Sequence, residues 1–255
     1  MEFSWETIRP YIPLMDLHWS ILTPYAPLFV KGVWMTVQLT VIALVLGLLA
    51  GLLIGLVTSQ KVTGWRRIVR GLAVAYVGFF RGTPLFVQIL LVHFALMPTL
   101  IHPETGWLLT GEAAAELRQD YGAFMSGAVA LTLNAAAYIS EIVRAGIASI
   151  ARGQTQAAYS LGLTRSQTMR HIILPQALRR MVPPLVNESI TLLKDSSLVS
   201  AIGLAELAMA ARTVAGAYSR YWEPYLAISA MYLVMTWLLT VAARKLETPD
   251  EHGGR

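Results

Sequence analysis

The chain has 255 residues, of which 55% are hydrophobic and 14% charged; soluble domains run at roughly 45–50% and 25%, so the apolar excess belongs where water is absent. The absence of cysteine excludes a disulfide framework, a thiolate metal site and a cysteine nucleophile, and His18, His93, His102, His171 and His252 show no zinc-ligand spacing. A net charge of +5 is read here for membrane orientation and not for nucleic acid, for which no partner role is expected.

Taken in chain order, the first apolar element is Val33–Val57, 25 residues inside an uncharged stretch from Gly32 to Gln60. As a helix it reaches roughly 38 Å, enough to cross a hydrocarbon layer of about 30 Å with some tilt. It carries Gly47, Gly51 and Gly55 at four-residue spacing, a face that admits another helix closely; contact with a second chain and packing within this one fit it equally. A second span is predicted over Thr83–Leu100, prefaced by the apolar Gly71–Phe80, and a third over Tyr121–Ser140. A fourth begins near Pro183, is interrupted by Lys194 and Asp195, and continues to about Ala211. The fifth is Pro224–Ala243. The expectation is an all-α polytopic membrane protein with five crossings.

Orientation is set by basic residues, which resist translocation. Lys61, Arg66, Arg67 and Arg70 lie between the first two spans; Arg144, Arg152, Arg165, Arg170, Arg179 and Arg180 lie between the third and fourth; Arg244 and Lys245 come after the fifth. The Met97–Asp120 loop instead carries Glu104, Glu112, Glu116 and Asp120 against Arg118 alone. This alternation puts the N-terminus outside and the C-terminus in the cytoplasm. It divides the chain into an extracytoplasmic segment 1–30, a transmembrane domain 31–246 with a cytoplasmic loop 150–180, and a cytoplasmic tail 247–255.

Within that loop, Gln156–Leu161 reads as a short helix stopped by Gly162. Thr164 is placed to cap a second helix running toward Leu174, and Pro175 to break or kink the chain beyond it. The small Ala157 and Ala158 leave a low surface that fits either a partner's groove or the lipid headgroups.

These residues carry a resemblance. Gln156-Ala157-Ala158, Gly162 and Ile172-Ile173-Leu174-Pro175 keep the spacing of the motif that marks membrane subunits of ABC-type importers, with Gln156 in place of its opening acid. Arg81-Gly82-Thr83-Pro84-Leu85, Ala137-Tyr138 with Glu141, and Asn187-Glu188 before Leu193-Lys194-Asp195-Ser196-Ser197-Leu198 extend it. Together they resemble the polar amino-acid permeases of the histidine/glutamine-type branch, across about Lys31 to Leu246. The resemblance implies the type I ABC importer permease fold, similar to the methionine permease, in a bacterial cytoplasmic (inner) membrane. It implies that Gln156, Ala157, Ala158, Leu161, Gly162, Ile172, Leu174 and Pro175 couple to a cytosolic ABC ATPase dimer. It also implies a second permease subunit, identical or homologous, and an extracytoplasmic amino-acid-binding protein, all around a lipid-embedded chain. No Gly-Lys-Ser/Thr loop exists, because the lysines come after Val30, Gln60, Leu193 and Arg244. No cofactor is expected in this chain, and ATP is expected on the partner.

Charges inside a bilayer cost several kcal/mol, about 2.5–3.5 each on insertion scales, and normally face a cavity or one another. Glu188 and Asp195 are two helical turns apart and share a face. One of them is placed to take the ammonium of an amino acid and Lys194 its carboxylate, with Ser196 and Ser197 adding hydroxyls and favouring a local break. Pairing of Lys194 with Glu188 or Asp195 is the alternative; the resemblance favours substrate contact. Arg81 fits either a substrate carboxylate or the headgroup interface. Tyr138 and Glu141 share a face that fits the same cavity, while Glu141 and Arg144 also fit a plain ion pair. An ion-coupled secondary transporter is the competing class, although it usually shows inverted repeats; a non-catalytic transport subunit fits better than an intramembrane enzyme, since no nucleophile–base pair is evident.

Overall fold

The computed structural model describes residues 17–59 and 63–244. Lys61, Lys245, His252, the tail 247–255 and most of the segment 1–30 therefore lie outside the described residues. A 3-10 helix over Trp19–Tyr25 leads into α1 (Ala26–Ser59). Then come α2 (Arg66–Gly82), α3 (Leu85–Leu100), α4 (Glu112–Ala148), α5 (Arg152–Ser160), α6 (Arg165–Ile202), α7 (Leu207–Tyr218) and α8 (Trp222–Arg244). The stretches Trp19–Ser59, Glu112–Ala148 and Trp222–Ala243 are long and apolar enough to cross a membrane by themselves. Two bent pairs, α2 with α3 at 109° and α6 with α7 at 50°, bring the number of crossings to five when each pair is taken as one.

The central helix is α4, which is rich in alanine and buries Leu131, Ala135, Ile139 and Val143. Against them lies the glycine row of α1. A Cβ added at Gly47 would sit 3.0 Å from Ala135, at Gly51 2.7 Å from Ile139, and at Gly55 2.6 Å from Val143. The row is thus a seam within the chain, and this settles the alternative left open by the sequence: lipid offers no hydrophobic drive between helices, so they associate through close van der Waals contact. Elsewhere along α4 the device recurs, with Gly127 against Val199 and Gly146 against Met181 of α6.

The bends depart from straight spans, and each has a local cause. Thr83 precedes Pro84, which disfavours helical geometry at Thr83 and leaves it extended at φ −119°. The carbonyls freed at the turn need donors. Buried Gln88 supplies its amide to Phe80 O at 2.8 Å and Thr83 O at 3.0 Å, and Asn134 of α4 donates to Gln88 Oε1 at 2.9 Å. Tyr76 adds a bond to Leu133 O at 2.6 Å. The second span is therefore an elbow: the predicted Thr83–Leu100 stretch forms one arm, and its apolar preface lies in a separate helix set at 109° to it.

The fourth span starts earlier than Pro183, which lies with Pro184 inside the helical run. Nor does Pro175 break the chain. A π turn, Met169–Ile173, runs into it, and Pro175 occupies the first turn of Leu174–Asp195, where its missing N–H matters least. The α-helix ends at Asp195, where the two charges interrupt the apolar run. The coil tightens to 3-10 over Ser196–Ile202 and turns at Gly203, whose φ of +87° is the left-handed stop. Glu206, fully buried, then caps α7 by accepting from Ala208 N at 2.9 Å and Met209 N at 2.8 Å, while Tyr232 of α8 donates to it at 3.0 Å. Burying a carboxylate without such donors would cost several kcal/mol, on the order of 2–7 even for a neutral polar group.

Candidate functional site

Where α2, α4 and α6 meet, an open pocket of about 450 Å³ is lined by Arg81, Tyr138, Glu141, Ser149, Arg180 and Glu188 among others. Arg81 reaches it from the last turn of α2. Its Nη1 lies 2.9 Å from Glu141 Oε2, and its guanidinium stands 5.5 Å from the centre of the Tyr138 ring. Glu141 is also paired with Arg144, as the i, i+3 spacing suggested. Arg180 donates to Ser149 O at 2.7 Å and so satisfies a carbonyl at the C-terminal end of α4, where a cation is favoured.

Glu188 differs from these groups. It is half-buried on α6, faces the same pocket, and has no hydrogen bond or ion pair with any described residue. With Arg81 and Glu141 in contact with each other, it is the carboxylate of this pocket that has no partner among the described residues. Tyr138 and the Arg81 guanidinium form the flanking wall.

The structure thus brings Arg81, Tyr138, Glu141 and Glu188 together. It does not bring the rest of the predicted cluster with them. Lys194 is exposed, Asp195 is half-buried, and neither lines this pocket. The internal pairing of Lys194 with Glu188 or Asp195 is not formed among the described residues. Ser196 is fully buried and gives its hydroxyl hydrogen to Leu193 O at 2.7 Å, and Ser197 accepts at its carbonyl from Ser200. These serines stand where the α-helix gives way to the tightened 3-10 coil, the local break expected there. Arg180, Ser149, Gln88, Asn134 and Glu206 were not singled out from sequence. A buried acid close to Gly203 was the one readable hint of the second bend.

On the far side of α4 the chain forms the short helix α5. Gln156, Ala157, Tyr159 and Gly162 are exposed, and Leu161 is 80% exposed, while Ala158 is buried. Gly162 adopts φ +80° and donates to Tyr159 O at 2.9 Å, and Leu163 N reaches Ala158 O at 3.1 Å. Thr164 and Gln167 close a reciprocal capping box. Ile172 and Leu174 are half-buried, Ile172 against the core, so the motif divides into an outward tip and an inward root.

Comparison with known proteins matches residues 43–248 to the family described as binding-protein-dependent transport system inner membrane component. The glutamine transport system permease of Escherichia coli (strain K12) is 36% identical over 233 residues, covering 91% of this chain and 97% of its own. The arginine transport system permease of Bacillus subtilis (strain 168) is 34% identical over the same coverage. A crystal structure of an amino acid ABC transporter with histidines matches with a TM-score of 0.74 at 36% identity, over 91% of this chain and 98% of that one. An inward-facing methionine ABC transporter matches in fold, with a TM-score of 0.67 at 22% identity, over 88% of this chain and 96% of that one.

Proposed function

The chain belongs to the family of binding-protein-dependent transport system inner membrane components, and from that premise we propose that it is the permease subunit of an ATP-driven importer of polar amino acids. The single observation that carries the substrate class is Glu188, without a hydrogen-bond or ion-pair partner among the described residues, facing a pocket walled by Tyr138 and Arg81. An amino acid presents its cationic groups, the α-ammonium and any basic side chain, to Glu188, and its carboxylate or a polar side chain to the Arg81 guanidinium and the Tyr138 ring. The relatives named for glutamine and arginine transport support this reading. Lys194, Asp195, Ser196 and Ser197 are not in the lining of this pocket and join the path in a rearranged state.

The motor is a cytosolic ABC ATPase dimer engaged by α5. Exposed Gln156, Ala157, Leu161 and Gly162 form the tip that enters the motor, and Ile172, Leu174 and Pro175 root it in α6. Gln156 makes a neutral hydrogen bond where an acid would make a charge-assisted one of about twice the strength. A second permease subunit completes the pathway, and an extracytoplasmic amino-acid-binding protein delivers the solute. The N-terminus lies outside and the C-terminus in the cytoplasm of a bacterial inner membrane.

Reconstitution of the complete complex in vesicles tests the reading. Uptake of L-glutamine or L-arginine is expected to require ATP and the binding protein, and to persist when ion gradients are collapsed. Uptake driven by an ion gradient without ATP would assign the chain to secondary transport instead.

A further inference from the structure

A second pocket, of about 400 Å³, lies toward the other end of α4, lined by His93, Met97, Ile101, Arg118, Gln119 and Ser126 among others. Ser126 and Tyr138 are 12 residues apart on α4, roughly 18 Å along the axis, so this cavity is separate from the one holding Glu188. Its polar groups are arranged with complementary character. Ser126 has one hydroxyl hydrogen, which it donates to Gly122 O at 2.7 Å. His93 Nδ1, 3.0 Å from Ser126 Oγ, must then be the donor in that contact. In the neutral ring this leaves Nε2 as a lone-pair acceptor. His93 is held there by a π turn, Val92–Leu96, a distortion frequent at functional sites.

Arg118 supplies the opposite character. It is half-exposed, lines the cavity, and has no ion pair with any described residue. The flanking acids Glu116 and Asp120 are exposed and stand two positions away on the helix, which places them on other faces. A guanidinium that takes a carboxylate and an imidazole nitrogen that takes an ammonium match a zwitterion, with Met97, Ile101 and Met125 as the apolar wall. We propose that this outer pocket is a second amino-acid site, a staging point between the delivering receptor and the pocket of Glu188, with Arg118 holding the α-carboxylate and His93 the α-ammonium. The inference rests on the amino-acid reading above.

The test is direct binding of radiolabelled L-glutamine and L-arginine to the purified permease–ATPase complex without the binding protein. Two equivalents per permease chain are expected. Arg118→Gln and His93→Phe should each weaken one equivalent roughly tenfold or more, with Arg118→Lys retaining part of it, while Glu188→Gln weakens the other. On the unmodified complex, N-acetyl-L-glutamine (no ammonium) and 4-aminobutanamide (no carboxylate) should fail to compete for the outer equivalent; this holds even if a variant fails to fold. A single equivalent, lost in Glu188→Gln and untouched by Arg118→Gln, overturns the outer site and leaves the importer reading standing. Weakened docking of the binding protein in Arg118→Gln with unchanged amino-acid binding overturns it in favour of a protein carboxylate. No binding of any amino acid by the unmodified complex overturns both.

Discussion

Glu188 and Arg81 show how a charge's partner decides its role. Arg81 was readable as either a ligand for carboxylate or an interfacial anchor; its 2.9 Å contact with Glu141, a carboxylate it shares with Arg144, gives it a partner within the chain. Glu188 has no such contact among the described residues, and the proposed meeting with a cationic ligand rests on that. Replacing it by Gln keeps the shape and removes the charge. The KM for L-arginine uptake is expected to rise by roughly tenfold or more, the scale of one lost hydrogen bond to a charged group, with L-glutamine affected less. Equal and unchanged KM values for both would take Glu188 out of the site. Lys194 carries the opposite lesson: seven-residue spacing placed Glu188 and Asp195 on one face, but nothing in the sequence told which face α6 turns to the pocket.

At the scale of the element, glycine positions did two different things. Gly51 permits contact, since a Cβ there would lie 2.7 Å from Ile139. Gly51→Val is expected to destabilise the purified complex by about 1–3 kcal/mol, the usual cost of overpacking, read as a lowered Tm. Gly216→Ala, where nothing lies within 4 Å, serves as the control and should leave Tm unchanged or slightly raised. Gly162 instead permits a conformation, φ +80° with open space around it. Gly162→Asp strains that turn by about 1–2 kcal/mol and adds a charge at the exposed tip. ATP hydrolysis without matching uptake is the expected result, and normal coupled transport by this variant would remove α5 from the motor contact. The helix, its stop and the Thr164 cap were all legible, because capping depends on residues within a few positions of one another. Both elbows were not, because Gln88, Asn134, Glu206 and Tyr232 secure them from distant parts of the chain.

For the whole molecule, the spans packed around α4 leave its pockets open at the side, with Arg81, Tyr138 and Glu188 lining a cavity that is not enclosed. A closed conduit needs further subunits, and movement needs a motor. The permease alone, placed in lipid vesicles without any other polypeptide, is accordingly expected to show no uptake of L-glutamine above empty vesicles. Solute carried under those conditions would contradict the division of labour between gate and ATPase.

The sequence by itself determined the class of environment, the spans, the loop with its helix, stop and cap, and the family. All of these rest on composition or on neighbours close along the chain. Only the tertiary structure decided that the glycine row faces α4, that two spans are bent, and that Glu188 lines a pocket that Lys194 and Asp195 do not. Helical periodicity gives relative angles around one axis, whereas the choice of partner for each face depends on close packing and on donors that must reach freed carbonyls across the fold.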